Sequence, residues 1–136
     1  MKGSKNNSEY LQNVVIISQY INLKEQRNMD KEAVLVQLGY TPNEALLEQL
    51  EKIEKNTHGY EKIIKHVIDL HNALKVDGSY VAMSNTNNHF KIKVGEVSPE
   101  IIKEAFEKIE HFSEKYKVMI IKVKGKDTFY VIGFQD

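Results

Sequence analysis

The spacing of apolar residues changes at Gly78, and this change limits the fold more than any other feature of the chain. Before Gly78, apolar residues recur every three or four positions, which is typical of amphipathic helices. After Gly78, the spacing shortens towards two in several short segments, which is typical of strands. Helices followed by strands around a further helix predict an α+β fold.

Four helical segments are predicted before Gly78. The first runs over about 8–27, and a short one runs from an Asp30 N-cap to a Gly39 C-terminal cap. The motif Thr41-Pro42-Asn43-Glu44 predicts the next start, with threonine as the cap and proline in the first helical position, and that helix ends near Asn56. Tyr60 to about Lys75 forms the fourth segment.

Two hairpins and one helix are predicted after Gly78. The helix begins at Ser98-Pro99, and Gly125-Lys126 suits a two-residue hairpin loop. The predicted strands cover residues 79–84, 89–94, 118–124 and 128–134. The C-terminal part is therefore expected to be a ββαββ unit over about 79–135.

The length of 136 residues predicts a single domain over 1–136. Within it, residues 1–7 are expected to be disordered, 8–75 to form the helical part and 76–136 the ββαββ part. The N-terminal helices, about 8–75, are expected to pack with the ββαββ unit.

Composition excludes several classes of protein. The chain has no cysteine, so it has no disulfide, thiol nucleophile or thiolate metal site. Nineteen basic residues balance nineteen acidic ones, so no overall charge attracts nucleic acid or an anionic membrane. The run Val14-Val15-Ile16-Ile17 is too short to span a bilayer. We therefore expect a cytoplasmic protein without membrane contact.

The first functional hypothesis is a non-enzymatic protein-interaction or regulatory protein that associates with itself. Its predicted interface is the stripe of Tyr10, Val14, Ile17 and Ile21 on the first helix, which is apolar around most of its circumference. Both faces of the last two strands are also apolar, and the helix from Pro99 covers only one of them. The N-terminal helices or another chain must cover the second face.

The alternative hypothesis is a nucleic-acid-binding protein that uses a lysine-bearing sheet. Aromatic residues that can stack on bases, namely Phe90, Tyr80 or Tyr130, are expected nearby. The lysines expected to form the binding surface are Lys91, Lys93, Lys122, Lys124 and Lys126. Lysines also protect exposed sheet edges from aggregation, so their presence has a structural explanation as well.

An enzyme is the least favoured hypothesis, and the sequence predicts no catalytic residue, metal or cofactor. His71 lies within an apolar helical stripe and is expected to be buried with one hydrogen bond. His66 and Asp69 are expected on a solvated helix face, and His89 at a hairpin tip. A catalytic role would require His71 and His89 to line one pocket with a carboxylate.

Overall fold

The computed structural model describes residues 30–136. The chain divides into two compact units, residues 1–33 and 34–136. Of the first unit only 30–33 are described, and they are helical. The predicted disordered segment 1–7 and the predicted helix 8–27 lie outside the described residues, and the single-domain organisation stays a prediction.

Four helices are present in the described part of the chain. Residues 30–37 are helical and are called α1. The others are α2 (Glu44–Asn56), α3 (Tyr60–Leu74) and α4 (Pro99–Tyr116). The end of α3 continues into a 3-10 turn (Lys75–Asp77). None of these described helices is long and apolar enough to cross a bilayer.

Four strands form one antiparallel sheet in the order β1-β2-β4-β3. The strands are β1 (Tyr80–Met83), β2 (Phe90–Lys93), β3 (Val118–Lys122) and β4 (Thr128–Phe134). The first hairpin thus pairs with the last strand, which places β1 and β3 at the two edges. The predicted α+β fold, with helices before a ββαββ unit, is confirmed.

The start of α4 is where the sequence predicts it. The Ser98 side chain accepts a hydrogen bond from the backbone N–H of Ile101 at 3.4 Å, and Pro99 occupies the first helical position. The predicted N-cap at Asp30 is wrong, because Asp30 itself has helical backbone. The predicted C-terminal cap is confirmed, because Gly39 follows α1 with φ +91°.

The start of α2 lies two residues later than predicted. Asn43, and not Thr41, is the N-cap, because its backbone is extended and its side-chain oxygen accepts from the N–H of Leu46 at 2.8 Å. Pro42 therefore precedes the cap. Asparagine is as good an N-cap as threonine or better, so Asn43 can replace Thr41 as the cap and the helix begins two residues later.

The core lies between the helices and one face of the sheet. Buried side chains from the helices include Leu35, Leu50, Ile53, Ile63, Val67, Leu74, Ala105 and Ile109. They pack with buried side chains from the strands, including Val81, Phe90, Ile92, Val118 and Val131. Burial of this apolar surface is the main force that holds helices and sheet together.

The connection between β3 and β4 is longer than predicted. The expected two-residue loop is wrong, because no strand pairing extends to Gly125 and residues 123–127 separate the two strands. Val123 N–H donates to Thr128 C=O at 2.8 Å, and Lys126 N–H donates to Val123 C=O at 3.1 Å. These two bonds close the loop, and the first of them joins the residues on either side of 124–127.

One buried ion pair joins α4 to the 3-10 turn. The carboxylate of Asp77 is 3% exposed and lies 2.8 Å from the ammonium of Lys108. Lys108 also donates to the carbonyl of Ala73 at 3.0 Å. The ion pair therefore places α4 beside the end of α3.

Candidate functional site on the open face of the sheet

The strands direct alternate side chains to two faces of the sheet, which differ in their cover. The helix face packs against the helices and includes Val81, Met83, Phe90, Ile92, Phe129 and Val131. The open face carries Tyr80, Ala82, Lys91, Lys93, Ile121, Thr128 and Tyr130. The sequence predicts that the N-terminal helices or another chain cover the second face. Of the described N-terminal helices, α2 and α3 lie on the helix face with α4, so these two do not cover it.

The open face carries two cross-strand rows with a lysine in each. Lys93 lies between Tyr80 on β1 and Thr128 on β4. Lys91 lies between Ala82 and Tyr130 in the next row. The two lysines are separated along β2 by about 6.6 Å, the rise of two strand residues. Basic and aromatic side chains therefore alternate over one surface.

A groove of about 360 Å³ runs over these rows. Its floor includes the two tyrosines and the two lysines just described. At one end it is lined by Ser84, Asn85 and Thr86 of the β1–β2 loop, and at the other by Val123 and Lys126 of the β3–β4 loop. The two hairpin loops thus form its ends, and no aspartate or glutamate of the described residues lines it.

The β1–β2 loop is held in place by α2. Gln49 donates from its side-chain amide to Ser84 C=O at 3.0 Å, and Asn56 donates in the same way to Asn88 C=O at 2.9 Å. Within the loop, the Ser84 hydroxyl accepts from the N–H of Thr86 at 3.2 Å. These bonds fix one end of the groove before any ligand binds.

The hydroxyl of Tyr130 is polarised by its neighbours in the groove. It lies 3.5 Å from the Thr86 hydroxyl, and this hydrogen bond is the main cause that lowers the pKa of Tyr130. Hydrogen bonds from Ser84 and Asn87 and the charge of Lys126 lower the pKa further, against the opposing effect of burial. A phenol with a lowered pKa is a stronger hydrogen-bond donor towards an anion.

The five lysines predicted to form one surface do not all lie together. Lys91, Lys93 and Lys126 line the groove. Lys122 pairs with Phe129 across the strands and so lies on the helix-face side of the sheet, where its ammonium donates to the carbonyl of Lys126 at 3.0 Å. Lys124 lies in the β3–β4 loop and does not line the groove.

The aromatic residues expected beside the lysines separate in the same way. Tyr80 and Tyr130 lie on the open face, whereas Phe90 is 1% exposed on the helix face and stacks with Tyr60. Phe90 is therefore a core residue. Sequence reasoning missed Ser84 and Thr86, although serine or threonine two residues apart in a loop is a known signal for side-chain hydrogen bonds to backbone.

His71 is buried and makes a hydrogen bond, as the sequence predicts. Its side chain is buried, and Nδ1 accepts a hydrogen bond from the backbone N–H of Val81 at 2.9 Å. Because Nδ1 accepts, the neutral ring carries its proton on Nε2. Burial lowers the pKa of His71, and the charge of Lys75 lowers it further.

The lowered pKa of His71 predicts a pH-dependent stability. The unfolded chain, in which the pKa is the ordinary 6.5, binds a proton more readily than the folded chain. The contribution of neutral His71 to the free energy of unfolding is therefore complete above pH 6.5, and it is lost as the pH falls towards the folded-state pKa of His71. Urea unfolding at about pH 7.5 and about pH 5.5 measures the loss.

The matched variant for this measurement is His71→Gln, which keeps a hydrogen-bond acceptor but cannot titrate. We expect His71→Gln to lack the part of the pH dependence that His71 contributes. An identical pH dependence in the two proteins would show that His71 is not the group responsible.

The other candidate residues are dispersed. His66 stacks on Tyr116 with ring centroids 3.7 Å apart, and His89 lies beside Tyr130 with centroids 6.1 Å apart. The predicted interface of Tyr10, Val14, Ile17 and Ile21 lies outside the described residues, so it stays a prediction.

Comparison of the chain with models of known protein families, with curated proteins and with solved structures finds no match.

Proposed function

We propose that this protein binds single-stranded nucleic acid on the open face of its sheet. The observation that carries the proposal is the grouping of Lys91, Lys93, Tyr80 and Tyr130 on a face without a described helix over it. Lysines hold backbone phosphates, and tyrosine rings provide surfaces on which bases stack. Of the two hypotheses raised by the sequence, the described residues favour this one.

The charge on the open face supports an anionic partner. Among the described residues, the groove is lined by Lys91, Lys93 and Lys126 and by no acidic side chain. A second copy of the chain placed face to face would bring lysines against lysines, which is unfavourable for a protein dimer on this surface. A phosphate backbone satisfies the same lysines without such repulsion.

The shape of the site favours a single strand over a duplex. A sheet surface with exposed aromatic rings binds unpaired bases, which are free to leave the stack and lie flat on the rings. Tyr80 is 42% exposed, and Tyr130 places its polarised hydroxyl towards Thr86 and Lys126. We expect the rings to contact bases and the hydroxyl to donate to phosphate or sugar oxygen.

The affinity is expected to be moderate and dependent on salt. The chain has no net charge, so electrostatic attraction is limited to the groove itself. Contact of three lysines with phosphates predicts a slope of roughly −2 in a plot of log K against log salt for a single strand. Sequence preference should be weak, because stacking accepts every base.

Replacement of the two central lysines tests the proposal. Lys91→Glu with Lys93→Glu should weaken the binding of a fluorescent oligothymidylate or oligouridylate by at least about tenfold at low salt. Fluorescence anisotropy measures the binding. The control, Lys65→Glu with Lys103→Glu, makes the same change of charge on α3 and α4, away from the groove, and it should bind nearly as well as the natural protein.

Two results would contradict the proposal. One is the absence of binding at low salt, and the other is an equal loss in the control variant, which would indicate non-specific attraction. Tyr80→Ala separates stacking from charge, since loss of one stacked base costs about 1–3 kcal/mol and leaves the salt slope unchanged.

A further inference from the structure

The two edges of the sheet differ in whether their backbone groups are occupied. At the β1 edge, the N–H of Val81 donates to His71 Nδ1 at 2.9 Å, and the N–H of Met83 donates to the Tyr40 hydroxyl at 3.0 Å. Side chains therefore occupy the donors that an added strand would need. Natural proteins block exposed edges by devices of this kind.

Among the described residues, the β3 edge is less protected: the Ser113 hydroxyl donates to the outward C=O of Val118 at 2.7 Å, but the next outward groups have no such partner. Val123 N–H points to β4, because it donates to Thr128 C=O, so the alternation of an antiparallel strand directs the N–H and C=O of Ile120 and Lys122 away from the sheet. In the described part of the chain, no hydrogen bond reaches these outward groups. Met119 and Ile121 on the same strand are 44% and 52% exposed.

An apolar groove of about 410 Å³ runs beside this edge, between β3 and α4. Phe106, Ile109, Ile120 and Phe129 form its apolar lining. Glu110, Glu114 and Lys122 also line it, and the first two are exposed on α4. The edge thus offers backbone hydrogen bonds, apolar contact and charges of both signs.

We infer that β3 pairs with β3 of a second copy of this chain. Antiparallel pairing about a two-fold axis at Ile120 joins the outward groups of the two strands and makes one continuous sheet from two. It sets Lys122 of each copy opposite Val118 of the other. Ser113 donates to Val118 C=O at 2.7 Å, so the neighbouring Glu114 lies at that end of β3 and meets the approaching lysine.

The charges are the reason for choosing a second copy as the occupant. The groove presents Glu114 at one end of β3, while the strand itself ends in Lys122 after an apolar run. The apolar run of β3 therefore matches the apolar lining of the groove, and its basic end matches the acidic end of the groove. This dimer leaves Lys91 and Lys93 uncovered, so it goes beyond the proposed nucleic-acid binding and does not depend on it.

Blocking the edge tests the pairing. Light scattering during size-exclusion chromatography of the full chain should show dimer at high concentration and dissociation on dilution. Lys122→Pro removes an outward N–H at an edge position, where proline is tolerated, and should raise the dissociation constant at least about tenfold. Far-UV circular dichroism verifies that this variant folds, and the Lys91→Glu, Lys93→Glu protein should remain dimeric.

An exchange of charges gives a second test that does not alter the backbone. Lys122→Glu and Glu114→Lys should each weaken self-association, because each places like charges across the seam. An equimolar mixture of the two variants should associate more tightly than either alone. A natural protein that is monomeric at every concentration, an undiminished dimer in Lys122→Pro, or no gain on mixing would each overturn the inference.

Discussion

Replacing Phe90 with alanine is expected to lower the free energy of unfolding by about 3–5 kcal/mol. Phe90 is 1% exposed, pairs with Met83 and Val131 on the neighbouring strands, and stacks with Tyr60 at a ring-centroid distance of 6.3 Å. Its removal loses buried apolar surface and leaves a cavity that rigid strands on both sides cannot fill. A domain of this size is typically stable by only about 5–15 kcal/mol.

Urea unfolding followed by circular dichroism measures this loss. Phe90→Leu should cost less than half as much, because it keeps most of the buried volume. Val76→Ala is the control: Val76 is 79% exposed, and its truncation should change the free energy by less than about 0.5 kcal/mol. A loss below about 1 kcal/mol for Phe90→Ala would contradict the packing of β2 against the helices.

The same substitution connects the core to the open face. Phe90 and Ile92 point into the core from β2, and the alternation of that strand directs Lys91 and Lys93 to the open face. The helix face thus positions the two lysines. Phe90→Leu should therefore keep nucleic-acid binding where the protein is folded, which separates a loss of stability from a loss of contact.

Much of the fold follows from local patterns in the sequence. Ser98-Pro99 predicts the start of α4 because the serine oxygen can accept from the free N–H groups of the first helical turn, and the proline favours the first helical position. The alternation in Phe90-Lys91-Ile92-Lys93 predicts which residues of β2 are buried. These signals depend on a few neighbouring residues, so one sequence is enough to show them.

The arrangement of the strands depends on distant residues, which local patterns do not show. Nothing around Phe90 indicates that β2 pairs with β4 and not with β3. The faces of β3 are equally ambiguous, since Ile120 and Ile121 are both apolar and only the packing of α4 distinguishes them. Sequence reasoning therefore groups Lys122 with Lys91 and Lys93, although it lies on the other face.

The capping of the β1 edge illustrates the same limit. The acceptors that occupy it come from Tyr40, before α2, and from His71, late in α3. The sequence shows that His71 belongs to an apolar stripe, and so predicts its burial, but not the strand that it contacts. The contrast between the two edges, on which the inferred dimer rests, appears only in three dimensions.

Gly59→Ala is expected to lower the free energy of unfolding by about 2–5 kcal/mol, through two separate costs. Gly59 has φ +67°, a left-handed conformation that disfavours any residue with a Cβ by about 1–2 kcal/mol. A Cβ at Gly59 would also lie 2.6 Å from Cβ of Phe134, an atom that cannot move without its strand. Overpacking of this kind costs about 1–3 kcal/mol.

Gly125→Ala separates the two costs, because Gly125 has φ +75° but a Cβ at this position would meet no atom within 4 Å among the described residues. It should therefore show the conformational cost alone, about 1–2 kcal/mol. The difference between the two variants in urea unfolding measures the contact between Gly59 and Phe134. Equal losses would mean that β4 yields at its C-terminal end, and that the bridge between His58 and Gly133 does not hold that end rigidly against the start of α3.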